Sequence, residues 1–143
     1  MRTSARNQFT GRITHIRWGT AICEVELQLT GGECVLCIVS CDRALGLRLQ
    51  LGGTAFALVN ATSVIVTTDG TEGFRLSARN QLTGSIKQLR TGMENVEVSI
   101  ALKGGDTLQA IVALESVKEL ELTEGKPVSA IFKASSVILG VAV

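Results

Sequence analysis

The sequence predicts an all-β fold built twice, with one short helix in each copy. Three observations carry this. The stretch Ser4-Ala5-Arg6-Asn7-Gln8-Phe9-Thr10-Gly11 returns as Ser77-Ala78-Arg79-Asn80-Gln81-Leu82-Thr83-Gly84, and the offset of 73 residues then holds without a gap. About 25 of roughly 67 paired positions are identical, which marks a tandem duplication. Within each copy, apolar residues alternate with polar ones at period two, and double glycines punctuate the alternation.

Each element can be justified in order. The polar opening, residues 4–10, leads into a first strand from Gly11 to Arg17, with Gly19 and Gly92 marking the turn beyond it. Residues 20–30 alternate cleanly: Ala21, Cys23, Val25, Leu27 and Leu29 share one face, Glu24, Glu26 and Gln28 the other. The second copy sets Val96, Val98, Ile100 and Leu102 inward. Such a pattern is a half-buried strand. Gly31-Gly32 and Gly104-Gly105 then turn a hairpin into return strands over 33–39 and 106–112.

Alternation fails over 40–47 and 113–120, which read as one or two helical turns. Ser40 suits an N-cap; Ala113, at the paired position, cannot cap. Asp42 and Glu115 suit helix starts. Strands follow over 54–60 and 127–133, and last strands over 62–67 and 135–141. Five short strands with a helix between the third and fourth point to a small barrel of the oligonucleotide/oligosaccharide-binding type. The domains are then 1–67 and 77–143, joined by a polar, glycine-containing linker over 68–76.

Composition narrows the function. Hydrophobic residues make up 45% of the 143, but only 3% are aromatic, so the apolar mass is aliphatic. Units this small gain most by burying surface against each other or against other chains, so a homo-oligomer is expected. A net charge of +1 argues against a broad surface for tracking nucleic-acid phosphates. No apolar run near the N-terminus is long enough for a signal peptide or a membrane span, and a cytoplasmic location is expected. The four cysteines all lie in the first copy. Cys34 and Cys37 sit three apart on a strand, so they diverge rather than converge on a metal; buried or half-buried free thiols in a reducing compartment are expected.

Catalysis finds little support. His15 is the single histidine, Gln88 takes its place in the other copy, and no Ser/His/acid set can be assembled around it. Two repeated segments lack an obvious packing reason: Ser-Ala-Arg-Asn, and Asn60-Ala61-Thr62-Ser63 with its copy Lys133-Ala134-Ser135-Ser136. Both offer hydroxyls, backbone N–H groups and cations, and neither contains a carboxylate. That is an inventory for holding an oxyanion. On chemistry alone a structural reading, strand entry plus tight corner, stands beside it.

Ser-Ala-Arg-Asn-Gln-x-Thr-Gly, the Glu-Val strand with its Gly-Gly hairpin, and Lys-Ala-Ser-Ser-Val-Ile together resemble the Mop domain of molybdate-binding proteins. Two such domains in tandem resemble the di-domain molbindins, over residues 3–141. The resemblance implies two OB-fold-like Mop β-barrels, a homotrimer, and molybdate or tungstate held at domain interfaces by hydrogen bonds, with no metal directly coordinated and no other cofactor. It implies storage or homeostasis rather than a reaction; from charge and hydropathy, neither nucleic acid nor membrane is expected as partner. By matching position, the anion-binding residues would be Ser4, Ala5, Arg6 and Asn7; Ser77, Ala78, Arg79 and Asn80; Ser116; and Lys133, Ala134 and Ser135, with Lys133 as the point charge.

The first copy departs from this pattern. Asn60, with Ala61 and Thr62, stands where Lys133 does; Arg43 replaces Ser116; Ser40 faces Ala113. Sites built on the first copy would be weaker, or would draw charge from Arg43. Two rivals compete. One is a molybdate-sensing module acting in trans on a transporter or transcription regulator. The other is a single-stranded nucleic-acid binder, which needs aromatic platforms; Phe9, Trp18, Phe56, Phe74 and Phe132 are the only aromatics.

Overall fold

A computed structural model describes residues 2–70 and 73–143. Thr71 and Glu72 of the expected linker lie outside the described residues. The first repeat contributes β1 (Asn7–Trp18), β2 (Ile22–Leu29), β3 (Cys34–Ser40), α1 (Cys41–Gly46), β4 (Thr54–Val59) and β5 (Ile65–Thr67). The second contributes β6 (Asn80–Thr91), β7 (Asn95–Leu102), β8 (Thr107–Ala113), α2 (Leu114–Glu119), β9 (Pro127–Phe132) and β10 (Ile138–Gly140). A 3₁₀ turn precedes each last strand, at Ala61–Ser63 and Ala134–Ser136. The fold is mostly β, as expected.

The first strand is longer than the sequence suggests: it begins at Asn7, not Gly11. Its first half pairs with β4 (Asn7↔Val59 to Arg12↔Thr54) and its second with β2 (Gly11↔Leu29 to Trp18↔Cys23). A register shift between Ile13 and His15 adds curvature where one neighbour gives way to the next. Gly11 lies at the overlap of the two pairings, and a Cβ there would fall on the Gln28 carbonyl. Gly84 holds the same place in β6, against the Ala101 carbonyl.

The last strands change places between repeats. One sheet runs β10-β4-β1-β2-β3, the other β5-β9-β6-β7-β8. Thus Ile138–Gly140 pair with Phe56–Leu58 of the first repeat, and Ile65–Thr67 pair with Ser129–Ile131 of the second. Each antiparallel sheet is completed by a strand from the other copy. The apolar faces meet in one continuous core that includes Phe9, Ile13, Val25 and Leu27 from one repeat and Ile86, Val98, Ile100 and Phe132 from the other. This resolves the size problem, because neither half has to bury its core alone.

Two polar clamps fix the halves across that core. The Asn7 carboxamide accepts from the Gln109 N–H (2.7 Å) and donates to the Gln109 carbonyl (2.9 Å). The Asn80 carboxamide does the same to Leu36, at 2.8 Å each way. Both side chains are almost wholly buried, and each imitates a strand partner for the other repeat's backbone. The two hairpin tips meet at Gly31 and Gly104, each lying against the other's carbonyl with no room for a Cβ. Beside them the Glu33 carboxylate accepts from the Gly104 N–H at 2.7 Å.

Ser40 caps α1 as expected, its hydroxyl accepting from the Arg43 N–H at 3.2 Å, while Ala113 offers α2 no side-chain cap. The expectation for the cysteines holds only in part. Cys23 and Cys37 are buried and Cys41 is half-buried, but Cys34 is exposed. It takes the outward position on β3 because the inward ones fall to Val35 and Cys37.

Candidate functional site

The two repeated donor segments converge because strand exchange carries one to the other. A cleft of about 460 Å³ is lined by Ser77 and Ala78 from the entry to β6, and by Lys133 and Ser136 at the end of β9. Its remaining wall includes Ser63 and Ile65 from the first repeat, delivered by the exchanged β5. The floor is Phe132 and Ile131, both buried. Serines from both repeats and one lysine therefore border a shared space with an apolar base. Larger grooves of about 540 and 710 Å³ elsewhere hold none of the expected anion-binding residues.

The 3₁₀ turn sets which residues border the cleft. In Ala134–Ser136 the alanine is buried and Ser135 is exposed, while Ser136 lines the cleft. In Ala61–Ser63, Ala61 is buried, Thr62 exposed, and Ser63 reaches the cleft. Of the two expected segments, Thr62 and Ser135 do not line this cleft, whereas Ser63 and Ser136, which end the same segments, do. A signal for them existed: Ser63 and Ser136 are identical across the duplication, whereas position 62 is Thr and its copy Ser.

The other expected residues are distributed as follows. Ser4 and Asn60 are exposed and Ala5 half-buried, at the first-repeat positions that match Ser77, Lys133 and Ala78. Arg79 Nη1 lies 3.3 Å from Glu24 Oε1, an oxygen that Arg17 also approaches at 3.1 Å. Arg6 Nη2 lies 4.0 Å from Glu97 Oε2. Arg6 and Arg79 thus each reach across to an acid of the other repeat. The Asn7 and Asn80 carboxamides are engaged in the clamps. Ser40, Arg43 and Ser116 sit at or on the short helices and do not line the 460 Å³ cleft. Among the described residues Lys133 makes no ion pair, which leaves its ammonium available to an anion. His15 is an exposed residue of β1 whose ring lies 3.5 Å from Glu26.

Fold and cleft together define a class: paired small β-barrels that share strands and present neutral donors, one cation and no carboxylate to a common space. The chain belongs to the TOBE domain family, whose model matches residues 3–66 and again 76–139. A solved structure of the cytoplasmic molybdate-binding protein ModG, with molybdate bound, superposes with a TM-score of 0.95 at 43% identity, covering 99% of this chain and 100% of that one. The molybdenum transport protein ModE of Azotobacter vinelandii is 40% identical over 141 residues, 99% of this chain and 52% of its own length. The molybdenum-pterin-binding protein MopA of Rhodobacter capsulatus is 36% identical over 139 residues, 97% of this chain and 52% of its own. The chain spans about half the length of these two curated relatives. Among the described residues no helix is long and apolar enough to cross a membrane.

Proposed function

We propose that this chain binds molybdate or tungstate as an intact tetrahedral dianion and serves molybdenum storage and homeostasis in the cytoplasm, without catalysing a reaction. The observation that carries the reading is the convergence of Ser77, Ala78, Lys133 and Ser136 with Ser63 of the other repeat in one cleft. Stripping water from a dianion is costly unless hydrogen bonds and positive charge replace it. Hydroxyls and N–H groups supply the first, and the Lys133 ammonium the second. The bound species in the ModG structure is molybdate, which supports the same ligand here.

The arginines extend this reading. Exposed ion pairs are worth about 0–1 kcal/mol. Arg6 and Arg79 can therefore leave Glu97 and Glu24 for a bound dianion at small cost. In the proposed assembly, a homotrimer, further sites lie at seams between subunits, where Ser4, Ala5, Asn60, Ala61 and Thr62, and Ser40, Arg43 or Ser116, add donors. Asn7 and Asn80 act as framework, holding the Ser-Ala-Arg segments in place.

Calorimetric titration with molybdate, tungstate and sulfate, together with native mass spectrometry, tests the proposal. The expected result is a trimer that takes up molybdate and tungstate at micromolar concentration or below, about −8 kcal/mol, and discriminates against sulfate. A monomer that takes up neither would overturn it. The longer relatives favour one second reading, in which the same pair of domains is the anion-sensing part of a larger regulator. Molybdate-dependent capture of a transporter or regulator would favour that role over storage.

A further inference from the structure

Cys23 and Cys41 lie with their sulfurs 3.2 Å apart. Cys23 is fully buried on β2, and Cys41 is half-buried at the first residue of α1. The second repeat fills the paired positions with Val96 and Leu114. Packing at this point therefore needs two apolar side chains and does not call for thiols. The remaining cysteines stand apart from this arrangement: Cys37 is buried and makes no sulfur contact with another cysteine, and Cys34 is exposed beside Glu26.

We infer that Cys23 and Cys41 form a dithiol that peroxide-class oxidants convert reversibly into a disulfide, stapling the start of α1 to β2. A disulfide bond measures about 2.05 Å, so closure requires an approach of roughly 1 Å. Small χ1 rotations and a slight shift of the helix start can supply it. The chemistry balances with hydrogen peroxide as the two-electron acceptor. The more accessible Cys41 thiolate attacks a peroxide oxygen, the O–O bond breaks, and water leaves after protonation, giving a sulfenic acid. The Cys23 sulfur then attacks the Cys41 sulfur, the S–O bond breaks, and a second water carries off the remaining proton. One S–S bond is formed, both thiols are oxidised, and the peroxide is reduced to two waters. Burial of Cys23 keeps it for this resolving step, and contact with Cys41 lets it outrun further oxidation of the sulfenic acid.

The bond would change how α1 is held. At present its first residue is tied to the β1–β2 turn by a hydrogen bond from the Cys41 N–H to the Ala21 carbonyl (2.9 Å) and a weak one from its thiol to the Gly19 carbonyl (3.4 Å). A covalent link adds a tether to β2 that α2 lacks, since its paired residues are Leu114 and Val96.

The test is peroxide treatment of the full chain, blocking of the remaining thiols in denaturant, and mapping without reduction. Cleavage at Glu24, Glu26, Glu33 and Arg43 separates the peptide bearing Cys23 from that bearing the other three cysteines. The expected result is loss of two of the four thiols. A Cys23–Cys41 linked peptide appears, persists in Cys34→Ser, disappears in Cys23→Val and Cys41→Leu, and is reversed by dithiothreitol. Those two variants install the second repeat's own residues, so they are expected to fold. Amide exchange in α1 should slow on oxidation in the wild type and in Cys34→Ser, and stay unchanged in Cys23→Val and Cys41→Leu. Survival of all four thiols, oxidation confined to Cys34, accumulation of Cys41 sulfinic acid without a linked peptide, or α1 exchange unchanged by the bond would each overturn the proposal.

Discussion

Lys133 separates the two halves of the duplication most sharply. Its copy, Asn60, keeps hydrogen-bonding capacity and loses the charge. A hydrogen bond to a charged group is worth about 1.5–3 kcal/mol. Lys133→Ala should therefore weaken molybdate binding roughly 10- to 150-fold at the second-repeat sites, while Asn60→Ala costs much less. Asn60→Lys should tighten the first-repeat sites. Equal losses in the two alanine variants, read by titration, would remove the asymmetry. Thiol reactivity offers another contrast between residues. Burial pushes the Cys37 thiol up to about 12, so it stays protonated at neutral pH. Cys34 is raised first by partial burial and then by the Glu26 charge, but it remains exposed. Since the thiolate is the reactive form, alkylation of native protein at pH 8 should label Cys34 and spare Cys37. Labelling should accelerate as pH rises into the thiol range, because the shift is upward. Labelling of Cys37 at a comparable rate would mean that β3 opens easily.

Among the elements, the short helices show what a cap does. α1 and α2 occupy matching positions at the same length, but only α1 has a side-chain N-cap, Ser40. Ser40→Ala should cost about 0.5–2 kcal/mol in denaturant unfolding, and Ala113→Ser should recover a similar amount on α2. Absence of both effects would mean that packing alone holds these helices. This contrast was legible in the sequence, as were the hairpins, because caps and period-two alternation are local. The start of β1 was not. Asn7-Gln8-Phe9-Thr10 looks like a polar loop until Gln109 of the other repeat satisfies the Asn7 carboxamide. The phase of these segments was also not legible, since a 3₁₀ turn, not a simple strand, brings Ser63 and Ser136 to the cleft while Thr62 and Ser135 stay exposed. Both segments named from sequence border the cleft, through Ser63, Ser77, Ala78, Lys133 and Ser136.

At the scale of the molecule, the exchange of β5 and β10 is the feature a duplicated sequence hides best. Ala61, Ser63, Val64 and Ile65 recur as Ala134, Ser136, Val137 and Ile138. Either last strand could complete either sheet on local grounds, so pairing within or between repeats is decided by chain path and by the shared core. The exchange has a consequence that can be measured. Deleting 138–143 removes a strand that belongs to the second repeat in sequence but pairs with β4 in space. The amides and carbonyls of Phe56–Leu58 lose their partners on that side, and buried Leu139 leaves the core. Removing a buried leucine from a core costs about 2–5 kcal/mol. Hydrogen exchange should therefore accelerate first in β4 of the first repeat, while β9, still paired with both β5 and β6, keeps its protection. Unfolding of the intact chain should be one cooperative transition, because a single core spans both repeats. Were β9 to lose protection instead of β4, each repeat would be closing its own sheet, and the delivery of Ser63 to Lys133 across the repeats would fail with it.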